Sequence, residues 1–123
     1  MSRKAFWLSV LFYTWLVMIL AVSSIPDIGS NEETLLGFDK YAHFGEYFVL
    51  AVLYLIMKRA RRGEVAIKNY LFLAIPLPFL EELHQIWIRG RLFSLLDFAA
   101  DWAGVTLVFL VYYLIKSRKQ IKL

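Results

Sequence analysis

The chain has 123 residues, 60% of them hydrophobic and 17% aromatic, yet 20% are charged, with a formal net charge of +4 and no cysteine. A soluble domain carries about 45–50% apolar residues, so this chain is too apolar for an ordinary soluble protein and too charged for a simple membrane anchor. The same numbers exclude a disordered tail, a disulfide scaffold, a Cys-ligated zinc site and a thiol nucleophile, and the length fits one domain.

Four apolar stretches follow one another. Residues 5–22 carry no charge and match the roughly 20 apolar residues that span a bilayer core. A signal peptide is the competing reading, with Arg3 and Lys4 as a basic start and Ala21-Val22-Ser23 resembling a cleavage site. The run is longer than a usual signal core of about 7–15 residues, which favours an uncleaved helix. Residues 23–38, with Pro26, Gly29, Ser30, Asn31 and Gly37, read as a loop with room for a short helix around Glu32 to Leu36. The second stretch, residues 41–57, is apolar apart from His43 and Glu46. The third, residues 70–88, contains Glu81, Glu82, His84 and Gln85, and Pro76 and Pro78 predict a kink inside it; membrane helices tolerate such kinks. The fourth, residues 95–115, contains Asp97 and Asp101. The fold class expected is an all-α membrane protein, a single four-transmembrane-helix bundle.

With four spans, the N-terminus, the 58–69 loop and the C-terminus share one side. That side holds Arg3, Lys4, Lys58, Arg59, Arg61, Arg62, Lys68, Lys116, Arg118, Lys119 and Lys122, eleven of the fourteen basic residues. The positive-inside rule places both termini in the cytoplasm of a membrane crossed several times. The basic loops are read as setting topology and touching lipid phosphate, so no nucleic-acid partner is expected.

This orientation puts the intramembrane charges in one outer layer. Asp39, His43 and Glu46 stand at i, i+4 and i+7; Glu82, Gln85 and Arg89 at i, i+3 and i+7; Asp97, Asp101 and Gly104 at i, i+4 and i+7. Each set lies on one helix face, and polar faces in lipid turn inward, so the three stripes should meet. Glu81 and His84 fall off the main stripe and are expected to pair with each other. Ala99/Ala103 and Ala100/Gly104 are small-xxx-small pairs that permit close helix approach. Asp39, Glu46, Glu81, Glu82, Asp97 and Asp101 oppose only Lys40, Arg89 and Arg91 in this layer. Buried carboxylates demand compensation, by protons, a divalent cation, a cationic or hydrogen-bond-donating ligand, or water, and the sequence leaves all four open. An Arg–carboxylate network that only locks the helices is the plain alternative to a functional site.

Two blocks resemble the VanZ-like family of small bacterial membrane proteins. The first is Asp39-Lys40-Tyr41-Ala42-His43-Phe44 with Tyr47 and Leu50-Ala51; the second is Glu82-Leu83-His84-Gln85 followed by Arg91, Asp97, Asp101 and Gly104. The blocks cover residues 39–104. Asp101 departs from the pattern, since many relatives carry Asn there. The resemblance implies a polytopic envelope protein of the bacterial cytoplasmic (inner) membrane, linked in some members to teicoplanin-type glycopeptide resistance. Carried over, it adds Tyr47 and Arg91 to the residues already chosen: Asp39, Lys40, His43, Glu46, Glu82, Gln85, Arg89, Asp97 and Asp101.

Two functions are expected from these residues. The first is a non-catalytic outer pocket for a lipid headgroup, a wall-precursor lipid or an amphiphilic glycopeptide, with Arg89 and Arg91 contacting phosphate. The alternative is a metal-assisted membrane hydrolase or transferase acting on a lipid-linked headgroup, with His43, Glu82, Asp97 and Asp101 as metal candidates and Glu46 or Glu82 as general base. No HExxH motif or nucleophile elbow backs the enzyme. A transporter or proton relay would require the chain to form a homo-oligomer.

Overall fold

The computed structural model describes residues 1–26, 38–89 and 94–121, apart from the Arg62 and Ile121 side chains. Every regular element among these residues is helical: α1 (Arg3–Ser23), α2 (Phe38–Arg62), α3 (Ile67–Ala74), α4 (Pro76–Gln85) and α5 (Leu95–Ile121). The short helix expected around Glu32 to Leu36 lies outside the described residues.

The helix ends follow from local chemistry. Ser2 caps α1 by accepting from Ala5 N at 3.1 Å, which satisfies one of the orphan donors of the first turn. Asp39 sits in the first turn of α2, where the helix dipole favours a negative charge. At the other end, Gly63 adopts φ 77° and donates to Arg59 O at 3.1 Å, a left-handed helix stop that suits glycine. Ser94 starts α5: Asp97 N donates to Ser94 Oγ at 3.3 Å and Phe98 N to Ser94 O at 3.1 Å.

The third apolar stretch is two helices rather than one kinked helix. Pro76 and Pro78 have no N–H to offer, so the preceding turn loses two rungs of its ladder. The chain breaks at Ile75 (φ −116°, ψ −71°), and α4 begins with Pro76 in its first turn. The helix then stops at Gln85, three residues before the expected end at residue 88.

Among the described residues, two helices are long and apolar enough to cross a membrane: α1 and the Leu95–Gln120 part of α5. Most of the apolar length in each faces outward; Phe6, Trp7, Leu11 and Tyr13 on α1 and Leu107, Leu110, Val111 and Leu114 on α5 are all exposed. α2 is long but carries Asp39, Lys40, His43 and Glu46 in its first half.

α2 and α5 form the most extensive helix pair, with α1 against α2 and the α3–α4 unit against α5. The apolar core runs between them through Phe12, Ile19, Leu50, Ala51, Tyr54, Leu73, Ala74, Val105 and Phe109. Gly104 sets the α2–α5 crossing, since a Cβ there would stand 2.5 Å from Phe44 O and 2.9 Å from Phe48 N. Side chains also bridge the helices: Trp15 Nε1 donates to Glu46 O at 3.0 Å, and the Tyr70 and Thr106 hydroxyls share a hydrogen bond at 2.9 Å. The polar residues of α2, α4 and α5 gather at one end of this core. Lys4 of α1 and Arg59 of α2 line one cavity at the opposite end, and Arg59 lines a second with Lys116 and Lys119 of α5.

Candidate functional site

His43 stands at the centre of the polar end. It lies one turn after Asp39 and one turn before Tyr47, and this i, i+4, i+8 line continues into the apolar core at Leu50, Ala51 and Tyr54. The face of α2 that packs against α5 therefore begins polar and becomes apolar, and His43 and Tyr47 are both buried.

The two ring nitrogens of His43 meet different surroundings. Nε2 faces Asp97 Oδ2 at 3.6 Å and Asp39 Oδ1 at 3.9 Å. Lys40 pairs with Asp97 and lies 3.7 Å from Asp39 Oδ2, which gives this side a cation of its own. Nδ1 stands 2.9 Å from Asp101 Oδ1 and 4.0 Å from Glu82 Oε1. Two further oxygens are held by hydrogen bonds: Ser94 N donates to Glu82 Oε2 at 3.1 Å, and Tyr47 OH donates to Glu81 Oε2 at 2.7 Å.

Burial here is nearly complete. Glu82 and Asp101 are 0% exposed and Gln85 is 2% exposed. Glu82 Oε1, Asp101 Oδ2 and Gln85 Nε2 are buried without a hydrogen-bond partner among the described residues. Folded proteins pair nearly all such atoms, so these three are the atoms here that a proton, water, an ion or a ligand could satisfy. Among the described residues, two donor sets have the spacing of metal ligands: Asp39, His43 and Asp97, and His43, Glu81 and Asp101, each with ligand atoms within 4.8 Å of one another. Sequence reasoning grouped His43 with Glu82, Asp97 and Asp101; the geometry sorts Asp97 to the Nε2 side and Asp101 and Glu82 to the Nδ1 side.

The structure thus brings together Asp39, Lys40, His43, Tyr47, Glu82, Asp97 and Asp101, with Gln85 on the buried face of α4. Glu81 corrects the expectation that it lies off the stripe and pairs with His84. It is buried and bonded to Tyr47, while His84 Nε2 shares a hydrogen bond with Ser24 Oγ at 2.9 Å, tying α4 to the end of α1. The buried face of α4 is Pro78, Glu81, Glu82 and Gln85, an i, i+3, i+4, i+7 pattern that includes both glutamates. That pattern was present in the sequence and points to Glu81 when counted from Pro78 rather than toward Arg89.

Arg89 does not continue the Glu82–Gln85 face. The helix ends first, and Arg89 is exposed in the turn that follows. Arg91 lies outside the described residues. Glu46 is only half-buried; its neighbour Tyr47 takes the inward position in the i+4 register from His43.

Comparison of the chain with protein-family models, with curated proteins and with solved structures finds no match in any of the three. The functional reading of the site therefore rests on its own geometry.

Proposed function

We propose that this chain is a VanZ-like integral membrane protein of the bacterial cell envelope with four spans and both termini in the cytoplasm. α1, α2, the α3–α4 pair and α5 are the spans. Its acid-rich polar core opens toward the extracytoplasmic side and binds the headgroup of an amphiphile: a membrane lipid, a wall-precursor lipid or a teicoplanin-type glycopeptide.

One observation carries this reading. Five carboxylates and a histidine from three helices converge at one end of a bundle whose outer surface is apolar, and two of those carboxylates keep an unsatisfied buried oxygen. Ionisable side chains inside a membrane protein mark ligand or ion sites far more often than packing. α2 is too polar to cross lipid alone, but its polar face turns onto α4 and α5, so it presents Phe48, Val52 and Ile56 outward. Carboxylates accept hydrogen bonds from sugar hydroxyls or an ammonium, and Lys40 together with Arg89 and Arg91 supplies contacts for phosphate.

The test is glycopeptide protection in a sensitive host. Expression of the wild-type chain is expected to raise the inhibitory concentration of teicoplanin, and Asp97→Ala or Arg91→Ala to abolish the gain at equal membrane abundance. Protection that survives substitution of every residue in the cluster would remove the headgroup reading.

A further inference from the structure

We propose that the Nδ1 side of His43 binds one divalent transition-metal ion, with His43, Glu81 and Asp101 as its ligands and Glu82 facing the same ring nitrogen. The site lies within the same polar core, but the inference stands without the headgroup reading and asserts no turnover.

The asymmetry of the imidazole carries the argument. On the Nε2 side, Lys40 offsets the charge of Asp39 and Asp97. On the Nδ1 side, three buried carboxylates converge, from Glu81, Glu82 and Asp101, and this is where the two unsatisfied carboxylate oxygens lie. Carboxylates this close repel one another and have lost their water, so a cation among them removes both costs.

The distances suit a metal. Ligands at about 2.0–2.2 Å place adjacent donors about 3 Å apart around an octahedral ion and about 3.4 Å apart around a tetrahedral one, with opposite octahedral donors about 4.2 Å apart. His43 Nδ1 stands 2.9 Å from Asp101 Oδ1, and His43, Glu81 and Asp101 offer ligand atoms that all lie within 4.8 Å of one another; Glu82 Oε1 is 4.0 Å from the same nitrogen.

Outer partners already aim these side chains. Tyr47 OH holds Glu81 Oε2, Ser94 N holds Glu82 Oε2, and the Asp97 carboxylate faces the far nitrogen of His43. A carboxylate behind a metal-binding histidine fixes its orientation and raises its basicity. One imidazole with two carboxylates and no thiol suits Mn2+, Fe2+ or Zn2+ better than Ca2+ or Mg2+, which favour oxygen-only shells.

The experiment uses the full chain in lipid nanodiscs, stripped with chelator and titrated with Mn2+ and then Zn2+. The expected result is one ion per chain, with Mn2+ pulsed EPR showing coupling to the nitrogen of a single imidazole. Glu81→Gln combined with Asp101→Asn is expected to weaken binding by more than about 100-fold, and Tyr47→Phe by about tenfold, with helicity by circular dichroism unchanged. Helical wild-type protein that takes up no ion, or Mn2+ bound without nitrogen coupling, overturns the proposal; both readouts use wild-type protein and do not depend on a variant folding. Metal uptake without glycopeptide protection would retire the headgroup reading alone, and protection in a chain that takes up no metal would retire the metal site alone.

Discussion

Tyr47 donates to Glu81 Oε2 at 2.7 Å, and both residues are buried. If the phenol is removed, that oxygen stays out of water and loses its donor, which costs about 1–3 kcal/mol for a buried polar group. Tyr47→Phe is therefore expected to lower stability by about that amount, read as a lower midpoint of thermal unfolding in detergent. Tyr13→Phe on the exposed face of α1 should leave the midpoint in place. An unchanged midpoint for Tyr47→Phe would mean that the Tyr47–Glu81 bond contributes nothing. The choice between Glu46 and Tyr47 shows where reading the sequence by charge misleads. Both lie one turn from His43, at i+3 and i+4, and the carboxylate draws attention. The inward direction is set by packing on α5, which continues from Tyr47 through Leu50, Ala51 and Tyr54, so the aromatic residue takes the buried place and supplies a polar tip there.

Between elements, the tightest constraint is the α2–α5 crossing at Gly104. A methyl group there would press on Phe44 O and Phe48 N at 2.5 and 2.9 Å. These are backbone atoms of a helix, which cannot rotate away, so the two helices must separate. Overpacking of this kind costs about 1–3 kcal/mol. Gly104→Ala should destabilise by at least that range and also disturb the polar cluster, because Asp101 lies one turn before Gly104 on the same face. Gly45→Ala is the matched control. Nothing lies within 4 Å of a Cβ at Gly45, and alanine in a helix interior is favoured over glycine by about 1 kcal/mol. Its unfolding midpoint should stay or rise; equal midpoints for the two variants would show that the close approach is not real. The α5 stripe was legible in the sequence because Asp97, Asp101 and Gly104 lie on an unbroken helix, where the 3.6-residue period holds from end to end. The α4 stripe was only half legible. Pro76 restarts the helix and its end at Gln85 stops it, so a register counted forward to Arg89 runs past the element. The Tyr47–Glu81 and Ser24–His84 bonds were not legible at all, since they join residues 34 and 60 positions apart and no local pattern encodes which turn of one helix meets which turn of another.

Across the whole molecule, the distribution of polarity is inverted relative to a water-soluble protein. Charged side chains fill the interior at one end, large apolar side chains face outward along α1 and α5, and Lys4, Arg59, Lys116 and Lys119 line the cavities at the opposite end. This inversion fits a bilayer as solvent, where the helix exteriors meet lipid and ionisable groups turn inward. The proposed orientation follows from the charge asymmetry: a cytoplasmic basic end puts the His43 cluster near the outer surface. Because the chain has no cysteine, single introduced cysteines report on this without background. Trp87, 75% exposed just after α4, should lie outside, and Lys119 near the end of α5 should lie inside. With a membrane-impermeant maleimide, Trp87→Cys is expected to label in intact spheroplasts, and Lys119→Cys and Ser2→Cys only after lysis. Labelling of Ser2→Cys together with Trp87→Cys in intact spheroplasts, with Lys119→Cys still protected, would mean that α1 does not cross as proposed and that three spans remain. Reversal of all three would place the polar cluster in the cytoplasm and withdraw it from any ligand arriving from outside.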